Sequence, residues 1–201
     1  MYVMELFVVA FITLLVIVDP LGNAAVFSGL SAKMKPKDAR ATAIRATLIA
    51  IAVLLFFGFV GKFILTYMGI SNEAFKIAGG LLLFYTAFKM VLGGHEQSAP
   101  DVEDHKNIAI FPMAIPLMAG PGCATAFIIL LDEAKAENIT AVTYVVAAMF
   151  IVEIITLFCL FTATQIKRIM GEGALSIVAR VMGIFLAALS VQLILDGIRA
   201  V

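Results

Sequence analysis

Two cysteines, two histidines and a sparse set of charges narrow what this 201-residue chain can do. Cys123 and Cys159 stand in apolar surroundings without paired or metal-ligand spacing, so both read as small packing residues. His95 and His105 share one polar stretch, which leaves no nucleophile–histidine pair inside the apolar runs. Asp19 has no second aspartate at depth with which to form a dyad, so an enzyme is not expected. Fourteen basic and fourteen acidic residues cancel to a formal net charge of zero. No basic patch of the density a nucleic acid requires is present. No cationic segment precedes the first apolar run, where Glu5 is the only charge before Asp19. That run is therefore expected to span a membrane rather than to be cleaved as a secretory signal. Charged residues make up only 14% of the chain, and they cluster between long apolar stretches. At 63% hydrophobic and mean hydropathy +1.09, the chain holds more apolar side chains than one soluble core can hide. It reads as an all-α integral membrane protein.

A spanning helix needs about 20 mostly apolar residues, and the chain divides into six such stretches. They are Val3–Ser28, Ala41–Met68, Asn72–Leu92, Asn107–Leu131, Ile139–Ile169 and Ala174–Ile198. Polar or glycine-rich stretches separate them at Ser31–Arg40, Gly69–Ser71, Gly93–Lys106, Asp132–Asn138 and Met170–Gly173. The two halves echo each other. Gly22, Ala24 and Phe27 recur as Gly122, Ala124 and Phe127, Lys76-x-x-Gly79 as Arg180-x-x-Gly183, and Gly69 as Gly173. Residues 1–94 and 107–201 then form two three-helix repeats joined by a cytoplasmic linker at 95–106. Because three is odd, the second repeat enters from the opposite face, and the repeats are inverted. Lys33, Lys35, Lys37, Arg40, Lys89, Lys106, Lys167 and Arg168 flank the odd-numbered loops. The positive-inside rule sets those loops in the cytoplasm and both termini outside.

Spans one and four are each interrupted, at Asp19-Pro20-Leu21-Gly22-Asn23 and at Ala119-Gly120-Pro121-Gly122-Cys123. Proline lacks an amide hydrogen and clashes with the preceding turn, and glycine leaves the backbone unrestrained, so the helix unwinds locally. Backbone freed at bilayer depth must be satisfied by protein, water or ligand. Matching interruptions in two repeats point to a substrate site near the midplane. Half-helix N-termini near Gly22–Asn23 and Gly122–Cys123 attract anions, and the carbonyls ending the preceding half-helices attract cations. One helix end is worth about 0.3–1 kcal/mol, up to ~2 when partly buried. A charge at a span's centre costs about 2.5–3.5 kcal/mol. Several groups must then act together, which favours a substrate carrying both signs. Two plainer readings stand beside this one: the interruptions as re-entrant hairpins, or as kinks that serve packing only.

Asp19 is a candidate for binding an ammonium group or a proton, or else a carboxylate that meets backbone donors. Asn23 suits substrate binding and local capping equally. Glu153 lies inside the fifth span as a proton or cation relay, or as a partnered buried acid. Thr13 and Thr125 line the cavity or bond their own helices. Asp196 and Arg199 sit near a membrane edge, and the linker's His95, Glu96, Asp101, Glu103, Asp104 and His105 read as a solvated polar loop. No metal site and no cofactor is expected.

With Asp19-Pro20-Leu21-Gly22-Asn23, Ala119-Gly120-Pro121-Gly122 and Arg180-x-x-Gly183 in place, the chain resembles the MarC family over essentially its whole length. It looks most like that family's small neutral amino acid transporters of bacteria and archaea, grouped with the LysE-type exporters. The resemblance implies a six-span inner-membrane secondary carrier for glycine, alanine or similar substrates, with a proton or sodium as coupling ion. The implied contact residues are Asp19, Pro20, Gly22, Asn23, Gly120, Pro121, Gly122, Cys123 and Thr125. Cys123 departs from the small non-thiol residue expected after Pro-Gly. A LysE-type carrier of another small solute or of a cation is the alternative.

Overall fold

The computed structural model describes residues 2–92 and 108–200. The linker 95–106, with both histidines and its acidic residues, lies outside the described residues, as do Gly93 and Asn107. Eight helical segments and no strand appear among those described. Helix α1 (Tyr2–Val18) stops at Asp19, which takes a left-handed φ of 48°, and α2 (Pro20–Leu30) starts at once. Proline fits that first position because its missing amide would have been unpaired anyway. Helix α3 (Pro36–Tyr67) starts on proline in the same way, and Gly69, at φ 71°, turns the chain behind it. The Ser71 hydroxyl accepts from the Ala74 amide at 3.2 Å and opens α4 (Asn72–Leu92). Segment α5 (Ala109–Met118) is π-helical, ending with the Ala119 amide donating to Ala114 O at 2.8 Å. Pro112 and Pro116 supply no amide here, so a regular α-helical ladder has missing rungs. Helices α6 (Pro121–Glu137), α7 (Ile139–Phe161) and α8 (Ala163–Arg199) complete the chain.

Five stretches are long and apolar enough to cross a membrane: 4–30, 36–67, 73–92, 139–161 and 173–199. The fourth span is interrupted as expected, into two shorter pieces, α5 and α6, separated at Ala119–Gly120. Three boundaries differ from the sequence reading. The polar stretch 132–138 is helical through Glu137, since Asp-Glu-Ala-Lys-Ala-Glu holds strong helix formers. Only Asn138 leaves the helix; its side chain accepts from the Ala141 amide at 2.9 Å and caps α7. The fifth span ends at Phe161 rather than Ile169, with the Thr162 hydroxyl donating to Phe158 O at 2.8 Å. The left-handed glycine that answers Gly69 is Gly171, at φ 73°, whereas Gly173 lies within α8.

Packing runs between the halves. The closest helix pair is α4 with α8; α1 and α2 rest on α7 and α8, while α5 and α6 rest on α3 and α4. Among the described residues, no two of α1–α4 pack extensively on one another. The partnerships interchange when the halves are exchanged: α1·α7 answers α5·α3, α2·α7 answers α6·α3, and α2·α8 answers α6·α4. Helices α4 and α8 run antiparallel, because Gly80 abuts Ser190 and Ile194 while Gly197 abuts Glu73 and Ile77. Buried positions also recur, with Ala43, Ala46, Ala50 and Leu54 of α3 answered 102 residues later by Val145, Ala148, Val152 and Thr156 of α7. Gly69 and Gly171 share that separation. The core is filled by Leu14, Leu54, Leu83, Met113, Phe127, Leu131, Met149 and Leu186. Phe63, Phe158 and Ile177 stay exposed on the outside, as lipid-facing side chains do.

Candidate functional site

The depth of the second interruption follows from one contact. A Cβ on Gly122 would run into the Leu83 side chain, and Leu83 sits in the middle of the 21-residue α4. Gly120–Cys123 therefore lies near the centre of the apolar layer. The first interruption is close by, since Ile17 lines the same cavity as Gly120, Pro121, Gly122 and Cys123.

The two interruptions are finished differently. At the first, Asp19 Oδ1 accepts from the Gly22 amide at 3.1 Å and caps α2 with its own carboxylate. A Cβ at Gly22 would overlap that carboxylate and force the cap aside. Asn23 Nδ2 donates to Val18 O at 2.5 Å, stitching the start of α2 to the end of α1. Asp19, Pro20, Gly22 and Asn23 are all buried. At the second interruption no side chain caps α6, and Gly120 leads into it with extended backbone. Thr125 spends its hydroxyl on Pro121 O at 2.9 Å. Proline has no amide, so Gly122 and Cys123 offer the donors at the head of α6.

Three cavities follow one another along α4. The first, about 320 Å³, reaches from the α6 head to Lys89, with Tyr85 and Thr86 on its wall. The second, about 450 Å³, is lined by Phe57, Phe75, Ile115, Ala124, Thr125 and Ile128 and is almost wholly apolar. Both border Leu82 and Pro121. The third, about 130 Å³, shares Phe75 and Ile128 with the second and is walled by Lys62, Glu73, Lys76, Asp132 and Glu133. From Glu73 to Lys89 the series covers about 24 Å at 1.5 Å per residue, with the uncapped head of α6 in its middle stretch. At the Glu73 end the charges tie α6 to its neighbours: Lys62 of α3 pairs with Asp132, and Lys76 Nζ of α4 stands 3.7 Å from Glu133 Oε1. Lys135 Nζ adds a bond to Gly58 O at 3.3 Å.

Glu153 stands apart from the cavity walls. It has no exposed surface, and neither carboxylate oxygen has a hydrogen-bond partner. It lies within electrostatic reach of Cys123, just as Asp19 does of Cys159. Of the residues singled out in the sequence, Gly120, Pro121, Gly122, Cys123 and Thr125 reach a cavity, whereas Asp19, Pro20, Gly22, Asn23 and Glu153 line none of the three. Lys89 and the Lys62–Asp132 pair were not singled out. An isolated lysine near a span's end carries no sequence signal, and that ion pair joins residues 70 positions apart.

A family profile described as MarC family integral membrane protein matches residues 4–201. A UPF0056 membrane protein of Archaeoglobus fulgidus is 35% identical over 200 residues, covering 97% of this chain and 93% of the relative. UPF0056 membrane protein MJ1677 of Methanocaldococcus jannaschii is 34% identical, covering 98% and 97%. UPF0056 inner membrane protein YhgN of Escherichia coli K12 is 32% identical, covering 94% of each. No solved structure matches the chain.

Proposed function

Since the chain belongs to the MarC family of integral membrane proteins, we propose that it is a secondary transporter of small neutral amino acids. The observation that carries this reading is the file of three cavities along α4, centred on the uncapped head of α6 at mid-depth. A structural kink needs no such passage. The substrate carboxylate bonds the Gly122 and Cys123 amides, where helix-end donors favour an anion. Lys89, the one charged side chain on the first cavity, attracts that carboxylate from its end. The ammonium turns towards the carbonyls that end α1, beside the cavity-lining Ile17. A cavity of about 320 Å³ favours a small substrate.

The fold we infer is two inverted three-helix repeats, supported by the interchanging helix partnerships, the antiparallel α4–α8 pair and the recurring burial. Alternating access follows from one repeat rocking on the other. With the lysine-rich stretch 33–40 in the cytoplasm, Lys89 guards the inner mouth and the Lys62–Asp132 and Lys76–Glu133 pairs the outer one. A cation carrier is less well supported, because no three His, Cys, Asp or Glu side chains converge among the described residues. The test is counterflow of labelled glycine and alanine in liposomes holding purified protein. Exchange that Lys89→Gln weakens by raising the half-saturating concentration is expected; no exchange of either amino acid overturns the reading.

A further inference from the structure

Building on that reading, we propose that Glu153 is the proton-carrying group of the transport cycle and that Asp19 is a structural cap. The two acids differ in what surrounds them. Asp19 completes the start of α2 by accepting from the Gly22 amide, a role that needs an acceptor oxygen and no titration. Glu153 is fully buried at position 15 of the 23-residue α7, and nothing donates to either of its oxygens. Thr47 Oγ1 is the only other buried side-chain oxygen or nitrogen without a partner among the described residues.

A carboxylate held so deep without a donor or a cation is very costly, whereas the neutral acid is tolerable. The surroundings offer no relief. From α6 the titratable neighbour is the Cys123 thiol, and among the described residues no charged side chain stands within electrostatic reach of Glu153 itself. Helix α1 carries the exposed Glu5, and at its junction with α2 stands Asp19, whose reach on α7 is Cys159, six residues beyond Glu153. Of the charged side chains described on α3, α6 and α8, among them Arg45, Lys62, Asp132, Lys135, Arg180 and Asp196, none is buried.

Proximity to Cys123 gives this acid a task. The head of α6 has room for one anion, because its donors are only the Gly122 and Cys123 amides and no side chain caps them. A substrate carboxylate settles there while Glu153 is neutral. An ionised Glu153 would set a second negative charge beside the first at mid-depth, and the two would repel. Substrate and proton therefore load together, one of each. The proton leaves Glu153 as H⁺ to water once movement of the α6 head away from α7 admits solvent, and it returns from water at the other face.

The experiment uses the whole protein in liposomes. Wild type is expected to accumulate alanine under an imposed pH gradient and to exchange it at symmetric pH. Glu153→Gln should keep exchange within about twofold, lose at least tenfold in gradient-driven accumulation, and exchange independently of pH. Glu153→Asp should restore accumulation, and Asp19→Asn should retain it. Accumulation that survives in Glu153→Gln, or that disappears in Asp19→Asn alone, overturns the proposal. An infrared readout needs no substrate: wild type should show a protonated-carboxyl C=O band at neutral pH that Glu153→Gln lacks. Absence of that band in wild type overturns the proposal whatever is transported, while absence of amino acid exchange with the band present overturns only the substrate reading.

Discussion

Replacing Gly79 by alanine tests whether α4 and α6 close against each other one turn beyond the second interruption. The new methyl would overlap Thr125 Cγ2 and stand 2.8 Å from Thr125 Cβ and 3.0 Å from its Oγ1. Thr125 cannot turn away freely, because its hydroxyl is committed to Pro121 O at 2.9 Å. Keeping the rotamer means overpacking, which costs about 1–3 kcal/mol. Abandoning it sacrifices a hydrogen bond worth about 0.5–1.5 kcal/mol. Against either stands roughly 1 kcal/mol that alanine gains over glycine within a helix, so the single variant is expected to be near neutral or modestly destabilised. The decisive quantity is the coupling with Thr125→Ala, in which the helix-propensity gain cancels. The smaller side chain makes room for the methyl, so the double variant should be more stable than the sum of the singles by about 1–2 kcal/mol. For some 200 residues that corresponds to about 2–8 °C in Tm. The chain has no tryptophan to report unfolding, but Cys123 is buried and Cys159 half-buried. A thiol-reactive dye that fluoresces as they become exposed follows the transition in detergent. Coupling below about 0.3–0.5 kcal/mol is ordinary additivity, and it would refute the close approach of α4 to α6.

Substitutions at two further sites separate structural from functional charge. Asp19→Asn keeps both the acceptor for the Gly22 amide and tolerance of φ 48°, so thermal unfolding should move by less than about 0.5 kcal/mol. Asp19→Ala loses the cap, about 1 kcal/mol, and forces alanine into a left-handed conformation for about 1 more; equal stability of the two variants would contradict the capping role. At the Glu73 end of the cavities, Asp132→Lys should destabilise by no more than about 1 kcal/mol, as partly exposed pairs do. The swap Lys62→Asp with Asp132→Lys should recover that loss at low ionic strength but not add to it in 1 M salt. A swap no better than the single change would remove the pair as a tie between α3 and α6.

Much of this architecture could be read from residue types. Pro20, Gly22, Pro121 and Gly122 mark both interruptions because their effect on a helix is covalent and local, and the structure has both. The stretch at 132–138 misled because charge suggests a loop in a hydropathy reading, whereas Ala, Glu and Lys are strong helix formers. Asn23 left capping and binding open, since an amide does either; the decision lay in whether Val18 O was within reach. Glu153 was visible as an acid in an apolar run, but its lack of any partner is a property of what α6 and α7 bring to it. Lys89 and the Lys62–Asp132 pair were hidden because their meaning comes from tertiary neighbours.

The absence of extensive packing among α1–α4 has a consequence for how the protein is made. A nascent chain delivered to the bilayer with only its first ninety residues has rods that find little purchase on each other. They must idle in lipid, polar Asp19 and Asn23 included, until α6, α7 and α8 arrive to clasp them. Assembly is then a late, all-together event, with no autonomous fragment to salvage. Cellular quality control would meet every interrupted synthesis as loose helices.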